Sequence, residues 1–136
     1  MNSILRGEKI YITDELSIIN AGHIVLSYVK KKKFSIVDQT KIITATSELT
    51  RNIIKYAGKG TVYIEHIFNS IREGLRITFE DFGPGIADIN LAMRDGYSSS
   101  DGMGLGLPGT KRLMDEFQIT SELGKGTKVI IVKWIS

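Results

Sequence analysis

The sequence predicts an α+β protein, a two-layer sandwich in which one mixed, mostly antiparallel sheet is covered by helices on one face. Three observations carry this. Apolar residues fit one broad helical face over 14–31 and recur at three- and four-residue steps over 38–56, and from residue 61 the period drops to two. Helical and extended runs do not alternate as βαβ units require. Turn residues separate the extended runs at 69–74 and at Gly124-Lys125-Gly126, as hairpins demand.

The elements follow in order. Residues 4–12 read as a short strand. Asp14 is a side-chain acceptor placed to cap a helix reaching about Lys31. Leu16, Ile19, Ile24 and Leu26 supply one broad apolar face for it. A second helix runs over 38–56 on a stripe of Ile42, Ala45, Leu49, Ile53 and Tyr56, and Gly58 and Gly60 stop it. Strands are expected over 61–68 and 75–81, and a short helix over 89–93. Pro108 suits the first turn of a helix reaching Phe117. Strands over 118–122 and 127–135 complete the chain. The last one alternates Val129, Ile131 and Lys133 against Ile130, Val132 and Trp134. Both its faces are apolar, which fits partner docking or self-association, or equally a central strand covered on both sides.

Composition narrows the function. The chain has 136 residues, 42% of them apolar and 24% charged, enough for one buried core in a single domain over 1–136. Cysteine is absent and histidine occurs twice, which excludes a disulfide framework and a thiolate zinc site. The net charge of +3 is too mild to argue for nucleic acid. The run Lys30-Lys31-Lys32-Lys33 fits a solvated helix end, where cations meet the macrodipole favourably. No apolar run approaches about 20 residues, so none is long enough to span a membrane. Residues 1–7 lack the apolar core of a signal peptide, and the expected location is the cytoplasm.

Three literal motifs mislead. Asp81-Phe82-Gly83 spells the metal-binding triplet of eukaryotic-type protein kinases, but no His-Arg-Asp accompanies it. Gly104, Gly106 and Gly109 spell GxGxxG without a strand before them. The same glycines open like a P-loop, yet Thr110-Lys111 stands in the wrong order.

A fourth combination uses the odd residues together. Glu48 and Asn52 project from one face of the second helix, with Lys55 another turn along. A carboxylate, a neutral oxygen and a cation in that order suit a hydroxyl nucleophile, a magnesium ion and a phosphate chain. A solvated helix edge is the other reading of the pair. Asp81 ends a strand before Gly83-Pro84-Gly85. An ionised carboxylate only accepts, so it matches the exocyclic amine of adenine; a plain strand-terminal turn is the alternative. Gly102, Gly104, Gly106 and Leu107 open a helix with small residues that let backbone N–H groups meet phosphate. Thr127 sits at the foot of the last strand after Gly124-Lys125-Gly126.

In this order, Glu48-x-x-x-Asn52, Asp81-x-Gly83-x-Gly85, the glycines from Gly102 to Gly106 with Leu107, and Gly124-x-Gly126-Thr127 resemble the N, G1, G2 and final boxes of the GHKL ATPases. That superfamily includes gyrase, Hsp90, histidine kinases and MutL. The resemblance spans about residues 13–135 and implies the Bergerat ATP-binding fold. No helical hairpin with a phosphoacceptor histidine precedes the boxes and no transducer domain follows. The expectation is therefore a free-standing kinase rather than a sensor kinase or a gyrase-like machine, with His23 a packed or surface helix residue.

Glu48-Leu49-Thr50-Arg51-Asn52, Tyr56-Ala57-Gly58-Lys59-Gly60 and the stretch from Gly106 to Phe117 are most similar to bacterial anti-sigma factor serine/threonine kinases, in particular the RsbT-type switch kinases of stressosomes. The resemblance implies phosphorylation of serine or threonine on STAS-domain scaffold or antagonist proteins. It also implies activation of a metal-dependent protein phosphatase after release, with ATP and Mg²⁺ as cofactors and no nucleic-acid or membrane partner. Glu48 is then the catalytic base and Asn52 the Mg²⁺ ligand. Asp81 reads adenine with Thr127 assisting through a water. Lys55 and the amides of Gly104 and Gly106 meet phosphate, and Gly83, Gly85, Gly102 and Leu107 complete the ATP-binding set. Ser98, Ser99 and Ser100 lie in a short lid, or in an inert loop. Lys111 and Arg112 reach phosphate or substrate, or lie on a solvated face. A nucleotide-responsive module that sequesters partners with little kinase activity is the alternative.

Overall fold

The computed structural model describes residues 3–94 and 106–135. Within them the chain runs β1 (Ser3–Ile12), α1 (Glu15–Lys31), α2 (Ile36–Ala57), β2 (Gly60–Phe68), β3 (Glu73–Asp81), α3 (Ile89–Ala92), α4 (Gly106–Leu113), β4 (Glu116–Glu122) and β5 (Gly126–Trp134). The strands form one sheet in the order β1-β2-β3-β5-β4. Every pairing is antiparallel, so the sheet is not mixed.

Local chemistry accounts for the helix ends. Asp14 accepts from Ser17 N–H at 2.8 Å and Ser17 Oγ accepts from Asp14 N–H at 3.1 Å, a capping box that starts α1. α1 ends in the lysine run, where Lys30, Lys31 and Lys33 are exposed. Ser35 Oγ accepts from Asp38 N–H at 3.1 Å, so α2 begins at Ile36, ahead of the expected Asp38. Gly58, with φ of 82°, closes α2 by donating to Ile53 and Ile54 carbonyls.

The core lies between the sheet and the helices. Val62, Ile64, Leu75, Ile77, Phe79, Val129 and Ile131 meet Ala21, Val25 and Val29 of α1 and Ile42, Ala45, Leu49 and Ile53 of α2. Two expectations for α1 need correction. Leu16 and Ile19 are 72% and 56% exposed, because α1 turns the arc of Ala21, Val25 and Val29 inward; Ile24 and Leu26 pack at the core margin. Tyr56, expected in the apolar stripe of α2, is half exposed.

α4 ends at Leu113 rather than reaching Phe117. Asp115 is captured by the end of β5: its N–H donates to Val132 O at 3.0 Å, and its Oδ2 accepts from Trp134 N–H at 2.7 Å. Those bonds pull the chain into β4, where Phe117 and Ile119 pack against the core. The second apolar face of β5 is used internally. Val132 and Trp134 are buried with Ile67 in a small cluster on the opposite sheet face. Trp134 Nε1 donates to Glu116 at 2.9 Å and the Arg72 guanidinium lies 4.7 Å from the indole centroid. No helix among the described residues is long and apolar enough to cross a membrane.

Candidate active site

α2, the ends of β3 and β5, the segment after β3 and the start of α4 enclose a cavity of about 360 Å³, large enough for a small-molecule ligand. Its apolar wall is the upper edge of the core, Leu49, Ile53, Phe79 and Val129, each at most 4% exposed. Glu48 and Asn52 line it from one edge of α2. Both are half-buried rather than on the solvated side. Their four-residue spacing puts them one turn apart on one side of α2, while Leu49 and Ile53, the residues that follow each, pack in the core.

Asp81 and Thr127 face each other across the β3–β5 ladder, and both line the cavity. Asp81 Oδ1 accepts from Gly83 N–H at 2.9 Å and from Thr127 N–H at 3.3 Å. Both bonds use the same oxygen, Oδ1.

Gly83 does not line the cavity. A Cβ there would stand 2.7 Å from the Ala57 Cβ, so its role is to let the end of β3 approach the end of α2. Gly85 lines the cavity with φ of 80°, a conformation that favours glycine. Gly106 and Leu107 line it at the first turn of α4. Gly102 and Gly104 lie outside the described residues, as do Ser98, Ser99 and Ser100.

Lys55 is not among the lining residues. It is exposed, and its ammonium lies 5.6 Å from the centroid of the Tyr56 ring, which does line the cavity. Lys111 and Arg112 are exposed on α4 and also stand outside the lining. The described lining thus carries the carboxylates of Glu48, Asp81 and Asp88 and no lysine or arginine.

The motif reading passes over Ser121. Its Oγ accepts from Ile86 N–H at 2.7 Å, donates to Gly126 O at 2.9 Å and sits 2.9 Å from Thr127 Oγ1. The signal for it is hairpin arithmetic: β4 and β5 are joined at 123–125, which puts Ser121 opposite Thr127.

Comparison with known proteins bears on this cavity. Residues 37–135 match the family of histidine kinase-, DNA gyrase B-, and HSP90-like ATPases. The chain belongs to that ATPase family. Within it, the chain is 48% identical over 124 residues to the serine/threonine-protein kinase RsbT of Bacillus subtilis, covering 91% of this chain and 93% of that one. It is 32% identical over 113 residues to an anti-sigma F factor of Clostridium kluyveri, covering 80% of each. A chain in the crystal structure of the SiaB-SiaC complex from Pseudomonas aeruginosa superposes with a TM-score of 0.66, covering 95% of this chain and 90% of that one. At 15% identity that likeness speaks to the fold. Membership of the ATPase family carries the use of ATP, and all four helices and five strands described here belong to the α+β architecture the sequence predicts.

Proposed function

We propose that the chain is an ATP-dependent serine/threonine protein kinase whose substrates are STAS-domain scaffold or antagonist proteins. Once released from them it binds and activates a metal-dependent protein phosphatase. One observation supports the site assignment above the others. A single cavity joins Glu48 and Asn52 on α2 to Asp81 and Thr127 on the sheet, a base and a metal ligand on one wall and an adenine-reading pair on the other. The 48% identity to a serine/threonine-protein kinase over nine-tenths of the chain supports the reaction class.

In this reading the adenine amine donates to Asp81 Oδ2. The phosphate chain runs toward the N-terminal turn of α4, where backbone N–H groups at Gly106 and Leu107 favour anions. Three carboxylates and no lysine or arginine line the described cavity, so a tetra-anionic nucleotide needs a divalent cation to enter. Asn52 offers Mg²⁺ one neutral oxygen. That donor set fits an ion that keeps most of its waters and takes further ligands from phosphate. Among the described residues no group of three or more His, Cys, Asp or Glu stands ready to hold a metal unaided. When bound, the ion neutralises charge on the phosphates.

Glu48 is placed one turn before Asn52 to take the proton of a substrate hydroxyl. The hydroxyl oxygen forms its bond to the γ-phosphorus as the bond to the β-phosphate bridging oxygen breaks, leaving a phosphoester and ADP. Positioning and charge neutralisation carry most of such a transfer, and a general base adds about 10²–10⁴-fold. Incubation with labelled Mg-ATP and STAS-domain proteins, with mapping of the modified residue, tests the reaction. Glu48→Ala should bind ATP normally and transfer about 10²–10⁴-fold more slowly. Transfer at the unaltered rate removes Glu48 from the role of base.

A further inference from the structure

Ser121 has one hydroxyl hydrogen and two lone pairs, and the structure accounts for all three. The hydrogen goes to Gly126 O at 2.9 Å, and one lone pair accepts from Ile86 N–H at 2.7 Å. The remaining contact, 2.9 Å to Thr127 Oγ1, can then be made in one direction. Ser121 has no hydrogen left, so Thr127 donates and Ser121 accepts. The single hydroxyl hydrogen of Thr127 is thereby turned away from the cavity that Thr127 lines. What Thr127 Oγ1 presents to a ligand is lone pairs alone.

We propose that Ser121 is a positioning residue for base selection, acting through the hydroxyl of Thr127; this rests on the adenine site described under Proposed function. Asp81 and Thr127 are cross-strand neighbours, and with Ser121 in place both face the base as acceptors. A 6-amino purine presents hydrogens to such an edge. A 6-oxo purine presents O6, a third acceptor, and is refused. A water lodged against Thr127 has one hydrogen fixed by the same rule. It donates to Oγ1 and can offer its other hydrogen to N1, which adenine leaves unprotonated, so the discrimination rests on the 6-position. Ser121 touches no part of the base, yet it sets the polarity of a group that does. Its bond from Ile86 N–H joins this setting to the segment after β3, because Ile86 also lines the cavity.

The test is equilibrium binding of Mg-ATP and Mg-ITP, which differ in the base at the 6-position and N1. Ser121→Ala frees the Thr127 hydrogen to point at the ligand. The ratio of ATP to ITP affinity should fall about three- to tenfold, the worth of one net hydrogen bond. Ser121→Thr, which keeps the hydroxyl, should restore the ratio. In a Thr127→Val background, Ser121→Ala should leave the ratio where Thr127→Val alone put it. Ser121→Cys, near-isosteric and a weak acceptor for the Thr127 hydrogen, replaces Ser121→Ala if that variant does not fold. A parallel loss for both nucleotides, with the ratio unchanged, makes Ser121 merely structural and overturns the proposal. So does a ratio change that persists without the Thr127 hydroxyl. The adenine site itself fails differently: wild type then binds ATP and ITP alike, or Asp81→Asn binds ATP undiminished, and both readings fall together.

Discussion

At Asp81 the two carboxylate oxygens have separate duties. Oδ1 holds the backbone by accepting from Gly83 and Thr127 N–H groups, while Oδ2 is the oxygen proposed above to accept from the adenine amine. Asp81→Asn therefore separates fold from function. The amide oxygen can keep both backbone bonds, and its NH₂ then opposes the amine of the base, donor against donor. ATP affinity should fall at least about 10- to 100-fold, the scale of a lost charge-assisted bond, while the denaturation midpoint moves little. Gly83→Ala makes the complementary case. Its Cβ would crowd Ala57 at 2.7 Å and the Tyr56 carbonyl at 3.1 Å, forcing β3 and α2 apart. Urea denaturation should show a loss of about 1–3 kcal/mol, typical of overpacking, with weaker ATP binding as a consequence. Asp81 was legible in the sequence because an acid between a strand and a Gly-Pro-Gly turn is chemically odd. Ser121 was not, since a serine in a strand is ordinary until its three bonds are placed in space.

Among the elements, β2 and β3 are joined on the face away from the helices by a cross-strand pair. Arg76 Nε and Nη2 donate to Glu65 Oε1 and Oε2 at 2.9 and 3.1 Å, a bidentate fork. The hydrogen bond to Glu65 is the main cause that raises the Arg76 guanidinium above its usual value, against the opposing cost of burial. On the arginine side, the contribution is complete below the unfolded value and is lost only as pH climbs through the raised folded one, so it is constant near neutrality. The Glu65 side chain is 8% exposed and that of Arg76 28%. Glu65→Ala should cost about 1–3 kcal/mol by urea denaturation at neutral pH. Arg76→Ala on top of it should cost little more, so the double-mutant cycle shows strong coupling.

Most elements could be read from periodicity and capping, and the exceptions share one cause. The end of α4 depends on Asp115 meeting the Trp134 N–H, a contact between residues far apart in sequence. The inward face of α1 depends on α2 being close enough to select Ala21, Val25 and Val29 over the bulkier Leu16 and Ile19. Period alone does not say which arc of an apolar helix finds a partner.

For the molecule as a whole, Lys133 ties the layers together. Its ammonium lies 3.0 Å from Asp115 and 3.7 Å from Asp38 at the start of α2, with the lysine side chain 12% exposed. The cavity draws on both layers as well, so ligand binding should stabilise the fold globally. At about 100 times its dissociation constant a ligand adds about 2.7 kcal/mol, which for a chain of this size raises the Tm by about 10 °C. Thermal denaturation at that Mg-ATP concentration should show the full rise in wild type and about half of it or less in Asp81→Asn. Chelating the metal should remove most of it, because the described lining is acidic.

The division of the cavity between layers has an evolutionary corollary. Asp81 and Thr127, proposed to read the nucleotide, sit on hydrogen-bonded neighbouring strands, and Glu48, proposed to remove the proton, sits on a helix lining the same cavity. Selection can therefore edit one without disturbing the other. With Glu48 as the base proposed above, a descendant that loses it should still bind nucleotide while transferring phosphate about 10²–10⁴-fold more slowly, so a nearly silent receptor would lie one substitution from the working enzyme.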